Sequence, residues 1–220
     1  MFFHSGKLVE GHFVETEGAA IMWEERYAHA DGYLFGVAPA QMLVENPWMI
    51  EGADSCLCVA DGEGRNSVWL ATHGLSVTSF DLSPTAVERA RALATKAGVQ
   101  VDAHVSDWEG WDWSQSFDLV VAVFVQFMGP EARVRQFDTL RQAVRPGGRL
   151  VLHGYTPEQV DYGTGGPPSR ENMYTIELLN DAFNDWRILR LAAYEREVQE
   201  GRGHSGQSAL IDMVAQKPNA

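Results

Sequence analysis

From about residue 55 the chain alternates between short apolar runs and segments whose apolar residues recur every three or four positions. Residues 55–59 form the first such run, followed by a glycine-bearing turn and a helical stretch over 65–72 that Gly74 stops. Residues 75–80 alternate with period two, the signature of a strand, and end on Asp81. Ser83-Pro84 then opens a helix as cap and first-turn proline. Ala86, Val87, Ala90, Leu93, Ala94 and Ala97 share its apolar face before Gly98 ends it. Residues 99–105 predict a third strand. Residues 117–124 predict a fourth, apolar almost throughout, as a strand buried on both faces must be. A helix over 131–144, a turn at Pro146-Gly147-Gly148 and a strand over 149–153 complete the alternation.

The two ends break the pattern. Residues 23–30 predict a short helix, and Pro39 opens another through Met42 and Leu43, so residues 1–50 read as a helical cap segment. Residues 174–183 are helical, but 187–198 and 208–217 are strand-like and joined only by a glycine-rich loop, which predicts an antiparallel hairpin. The expected fold class is α/β: a Rossmann-like, doubly wound, mostly parallel seven-stranded sheet over 51–220, finished by that C-terminal hairpin.

Composition narrows the partners. Among 220 residues the formal net charge is −13, and no Lys/Arg run builds a basic face, so neither nucleic acid nor an anionic membrane is an expected partner. No segment is long and apolar enough to span a bilayer, and the N-terminus lacks a signal-like apolar stretch. The two cysteines, Cys56 and Cys58, flank Leu57 in the first strand and read as buried small hydrophobes. The seven histidines are scattered, so no metal site is expected. These features suit a cytoplasmic protein acting on a small molecule.

Ligands of open α/β sheets bind beyond the carboxyl ends of the strands. The first such end carries Ala60-Asp61-Gly62-Glu63-Gly64-Arg65-Asn66-Ser67. Small residues there let the backbone approach a ligand, although a strand-to-helix turn also uses glycine for purely steric reasons. Asp81, followed by Leu82, closes the second strand, where a carboxylate can accept hydrogen bonds from both hydroxyls of an adenosine ribose. Asp107-Trp108 follows the third and could hold an adenine. Trp108 also sits near Trp111 and Trp113, so an aromatic cluster is the alternative.

These residues together resemble the class I S-adenosylmethionine methyltransferases. The run from Ala60 to Ala71 with Asp81-Leu82-Ser83-Pro84 carries the likeness, and Gly64-Arg65-Asn66-Ser67 is similar to the tellurite-resistance and thiopurine-type branch. Trp23-Glu24-Glu25-Arg26-Tyr27, with Tyr33, Phe35, Gly36 and Pro39, resembles the segment that caps the cofactor there. The resemblance implies S-adenosyl-L-methionine as cofactor, held by Ala60, Asp61, Gly62, Gly64, Asn66, Asp81, Leu82, Asp107, Trp108, Phe124 and Phe35, with Val123 and Gln126 nearby. Two positions depart from the family pattern. Cys58 stands where an acidic residue is usual, and Ala60 stands where glycine is usual, which is tolerable if the backbone there avoids positive φ.

Methyl transfer from a sulfonium needs alignment and exclusion of water more than a strong acid or base. A base helps when the acceptor is a hydroxyl or ammonium and matters little for a thiolate. His204 on the hairpin tip and Tyr155 after the fifth strand are the candidate catalytic residues. Arg170, Arg202 and His153 are candidate substrate-binding residues, and the glycine-rich stretch 163–170 is a candidate lid. A thiol or chalcogen acceptor is suggested by the resemblance alone, with oxygen and nitrogen acceptors open. Two alternatives are a nicotinamide-dependent oxidoreductase, whose third fingerprint glycine would be replaced by Ser67, and a non-catalytic adenosyl-binding module.

Overall fold

The protein is described from a computed structural model over residues 10–201 and 204–219. Its strands are β1 (Ser55–Val59), β2 (Ser76–Asp81), β3 (Asp102–Val105), β4 (Phe117–Val123), β5 (Val144–Tyr155), β6 (Arg187–Glu200) and β7 (His204–Gln216). Its helices are α1 (Glu10–Ala28), α2 (Gln41–Glu45), α3 (Arg65–Thr72), α4 (Pro84–Ala97), α5 (Pro130–Ala143), α6 (Gln159–Tyr162) and α7 (Ile176–Ala182). The strands form one sheet in the order β3-β2-β1-β4-β5-β7-β6. β1 pairs in parallel with both β2 and β4, so the strand order reverses between β1 and β4, where a crevice opens at the carboxyl ends. β7 is antiparallel to both β5 and β6, which leaves β6 running with the first five strands.

Side-chain alternation sends two apolar sets to opposite faces. Leu57, Val59, Val120, Leu150 and Leu152 pack with Phe137, Leu140 and Phe183 on one side. Cys56, Cys58, Leu119, Val121 and Val151 pack with Met42, Leu43, Met49 and Leu70 on the other. The cysteines are free and fully buried with Sγ atoms 4.0 Å apart, and they fill space as small hydrophobes.

Several boundaries differ from the sequence pattern for local reasons. β3 begins at Asp102 because Gly98 caps α4 in a left-handed conformation and Val99 N donates to Ala94 O, using up three residues. Pro146-Gly147-Gly148 lies within β5, which starts at Val144 and shifts register against β4. The hairpin strands run to its tip, with Glu200 pairing His204, where polar and glycine residues had suggested loop. Helix α1 begins well before Trp23. Ser83 caps α4 as expected, its Oγ accepting from Ala86 N. Glu24 of α1 also accepts from Ser83 Oγ and Thr85 N, which pins α1 to the positive end of α4.

Candidate active site

The turn after β1 is built on three residues with positive φ: Ala60 at 46°, Gly62 at 62° and Gly64 at 87°. The condition under which alanine replaces glycine freely is therefore not met at Ala60, at a cost of about 1 kcal/mol. At Gly62 a Cβ would stand 2.8 Å from Tyr27 Oη, so glycine is required where the cap segment meets the turn. Gly64 has a different task from the one expected. A Cβ there would lie 2.7 Å from Ala90 Cβ, so this glycine lets α3 pack against α4, and it does not line the cavity.

A cavity of about 320 Å³ opens over the carboxyl ends of β1 to β4. Ala60, Asp61, Gly62, Asn66, Asp81, Leu82, Asp107, Trp108, Phe124 and Phe35 all line it, as does His204. Asp81 sits at the floor. Its Oδ2 accepts from Gly62 N at 2.8 Å and its Oδ1 from Ser83 N at 3.0 Å. Burial raises its pKa to about 6, partly offset by backbone N–H groups of Ser83, Gly62 and Leu82. Asp61 is pushed up to about 7 by burial, against the bond it accepts from Ser67 Oγ. Asp107 Oδ1 accepts from Gly110 N at 2.7 Å and shapes its turn. Trp108 borders the cavity and also belongs to an aromatic cluster with Phe80 and Trp113, its Nε1 donating to Thr139 Oγ1.

The far end is aromatic. Phe124 also has positive φ, 57°, and its N donates to His153 O at 2.8 Å. Its ring centroid lies 4.3 Å from His204 and 4.6 Å from Tyr155, and Phe35 stands 4.6 Å from His204. His204 Nδ1 lies 3.9 Å from Glu200 Oε2, beyond hydrogen-bond reach. Burial holds the imidazole pKa below its usual value of 6.5. Tyr155 Oη and His204 Nδ1 are both buried without a hydrogen-bond partner among the described residues.

Other candidates stand elsewhere. Tyr155 lies behind Phe124 and does not reach the cavity wall. His153 is buried away from it, Nδ1 2.7 Å from Asp212 Oδ1. Arg170 is an exposed residue paired with Asp161 and donating to Pro157 O at 2.8 Å, outside the cavity. Gln126 is consumed by the Tyr155 backbone, donating to its O at 2.7 Å and accepting from its N at 2.6 Å. The stretch 163–170 is not a lid over the cavity: Gln159 and Thr164 tie it down beside β7, and none of its residues line the space. Arg202 lies outside the described residues.

Sequence reasoning missed Phe127 and Met128 of the loop after β4 and Ala132 of the first turn of α5, which line the cavity. Only their position after β4, at the strand-order reversal, could have signalled them. It also missed how Arg65 works. Its Nη1 donates to Glu200 Oε2 at 2.6 Å, bolting α3 to the hairpin tip. Despite burial, which acts upward, the Arg65 guanidinium bonded to it holds the Glu200 carboxyl down at about 2.

The same stretch of chain matches a family model. Residues 56–148 fit the model described as "Methyltransferase domain". This segment is similar to methyltransferase domains. An uncharacterised protein of Mycobacterium tuberculosis is 31% identical over 123 residues, 56% of this chain, which spans only 44% of that relative's length. Among solved structures, N-methyltransferase NodS of Bradyrhizobium japonicum in complex with S-adenosyl-L-homocysteine (SAH) superposes with TM-score 0.69 at 14% identity, covering 91% of this chain and 98% of that one. TehB of Haemophilus influenzae gives 0.65 at 18%, covering 83% and 63%. A structure reported for "Conversion of a Disulfide Bond into a Thioacetal Group during Echinomycin Biosynthesis" gives 0.73 at 20%, covering 94% and 93%. At these identities the superpositions establish a shared Rossmann-like fold.

Proposed function

We propose that this chain is an S-adenosylmethionine-dependent methyltransferase acting on a small-molecule acceptor. The observation that carries this reading is Asp81: a buried carboxylate on the cavity floor, fixed by two backbone N–H groups and retaining lone pairs for the vicinal hydroxyls of a ribose. The donor set around it suits the rest of the cofactor. Leu82, Asp107 and Trp108 offer an apolar slot with a carboxylate for an adenine, while Ala60, Asp61, Gly62 and Asn66 border the space for the amino-acid portion. Trp23, Tyr27 and Phe35 close the space from the cap segment, their rings 5.8–6.3 Å apart. When bound, the cofactor supplies a methyl group on a cationic sulfur. Phe35 and Phe124 exclude water from the reacting end, and the neutral His204 imidazole takes the acceptor's proton. Tyr155 backs Phe124 and keeps the His204 ring in place.

The SAH bound by NodS supports the choice of cofactor, and the likeness to methyltransferase domains favours it over a nicotinamide. The disulfide chemistry named for the echinomycin relative lends support to a sulfur or other chalcogen acceptor. The net charge of −13 argues against nucleic acid as substrate. The test is calorimetric titration with SAH and with NADH, followed by transfer of a labelled methyl group across thiol, selenite, tellurite, phenol and amine acceptors. Saturable SAH binding with transfer to at least one acceptor is expected. Binding of NADH in preference to SAH would overturn the reading, and SAH binding without any transfer would favour a sensing module instead.

A further inference from the structure

Arg65 spends only part of its hydrogen-bonding capacity, and what is left over has a definite shape. It is the one arginine or lysine among the described residues that lines the cavity, and its side chain is 7% exposed. Nη1 donates to Glu200 Oε2 at 2.6 Å and to Ala38 O at 3.5 Å, which sets the guanidinium beside the hairpin tip. Its charge reaches Tyr155 and His204 as well. Burial is the larger influence on both, but the guanidinium favours the phenolate and opposes protonation of the imidazole. Nε and Nη2 have no partner among the described residues. These two nitrogens share one edge of the guanidinium, and their parallel N–H bonds match the two oxygens of a carboxylate. A buried cation with that edge unmet loses hydration without replacement, so the position calls for an anion.

The donors in this part of the cavity divide between two ligands. Asn66 lines the cavity with its Oδ1 already taken by Ala40 N at 2.9 Å, so its amide N–H groups remain for the amino-acid portion of the cofactor. Glu200 draws Arg65 the other way, toward Phe35, Phe124 and His204 at the acceptor end. We propose that the acceptor carries a carboxylate apart from its nucleophile, and that the Nε–Nη2 edge of Arg65 holds it by two parallel hydrogen bonds. The proposal rests on the cofactor reading above and names the acceptor class for that same site. One guanidinium already paired with Glu200 suits a singly charged carboxylate. A phosphate dianion would need a second cation, and no other arginine or lysine lines the cavity among the described residues. An ammonium would face the guanidinium, with Glu200 committed to Arg65 Nη1 and to Gln41 N at 3.3 Å. Anchoring the acceptor by its carboxylate restricts the orientations in which its nucleophile meets the methyl carbon.

The test is calorimetric titration of the SAH-saturated protein with matched pairs: 4-hydroxybenzoate against 4-hydroxybenzamide, and 3-sulfanylpropanoate against 3-sulfanylpropanamide. In at least one pair the carboxylate is expected to bind about tenfold or more tightly than its amide, as a charge-assisted bidentate contact should give. Arg65→Gln should remove that preference by weakening the carboxylate, with amide affinity kept within about threefold. The same variant should bind SAH, and 5′-methylthioadenosine, which lacks the amino-acid portion, as the wild type does. Equal affinity within both pairs overturns the proposal, and so does a preference that survives Arg65→Gln. Binding of none of the four to a protein that binds SAH overturns it as well. SAH weakened about tenfold in the variant, with 5′-methylthioadenosine unchanged, would give the guanidinium edge to the cofactor's own carboxylate and overturn it too. The comparison within each pair uses the wild-type protein and holds even where the variant fails to fold. Failure of SAH to bind the wild type overturns the cofactor reading together with this one.

Discussion

The two ends of the cavity are built on opposite plans. At the β1 and β2 end every charged side chain is anchored to backbone or to a short-range partner: Asp81 to Gly62 N and Ser83 N, Asp61 to Ser67. At the hairpin end the walls are aromatic rings, and two buried polar atoms, His204 Nδ1 and Tyr155 Oη, have no partner among the described residues. A preset polar cradle suits a ligand whose shape never changes. An apolar chamber with one titrating ring suits a variable second ligand and a proton transfer. The difference teaches that affinity for the cofactor and turnover of the acceptor should be separable by mutation.

The largest separation is expected at His204. His204→Ala should lower kcat by about a hundredfold or more with SAH affinity nearly unchanged, measured by initial rates and calorimetry. Because burial lowers the imidazole pKa, the acid limb of wild-type kcat/KM should fall below pH 6.5. An alanine variant that loses both properties together would erase the contrast. Asp81→Ala should show the converse, weakening SAH about thirtyfold, roughly 2 kcal/mol, through lost charged hydrogen bonds. Gly64→Ala should reach neither end directly but destabilise the fold by about 2–4 kcal/mol in urea, since its Cβ would meet Ala90 Cβ at 2.7 Å.

The pH dependence sharpens the cofactor end. Asp81 and Asp61 have folded pKa values of about 6 and about 7, above the ordinary 3.8. Raised carboxyls stabilise the fold fully below about pH 4 and lose that contribution as pH rises through their folded values. The ligand-free protein should therefore lose thermal stability between about pH 4 and pH 7, and Asp61→Asn should flatten that slope. SAH affinity should move the other way, strengthening through about pH 6 as Asp81 ionises, because the carboxylate is the better acceptor. The smallest effect belongs to Ala60→Gly, which should stabilise by about 1 kcal/mol by relieving a left-handed alanine, read from urea midpoints.

The cofactor end was far more legible in the sequence than the acceptor end. Gly62, Asp81 and the Ser83-Pro84 start occupy adjacent strand ends, and strand–helix periodicity alone places those ends side by side. What periodicity could not give was backbone conformation. It left open the φ of Ala60, which the turn makes positive, and misjudged Gly64, whose partner Ala90 lies on the next helix. The acceptor end draws Phe35, Arg65, Phe124 and His204 from four distant segments. Which of the candidate polar residues meet there depends on hairpin length and strand register. That is why His204 reaches the wall, while His153 turns to Asp212 and Arg170 to Asp161. The Arg65–Glu200 pair, 135 positions apart, left no local trace.

A crystal structure of the protein grown with SAH tests the central assignment most directly. Density is expected with the ribose hydroxyls on the Asp81 carboxylate, the adenine beside Trp108 and the sulfur facing Phe124 and His204. Density for SAH at any other site, with this cavity filled only by solvent, would contradict it.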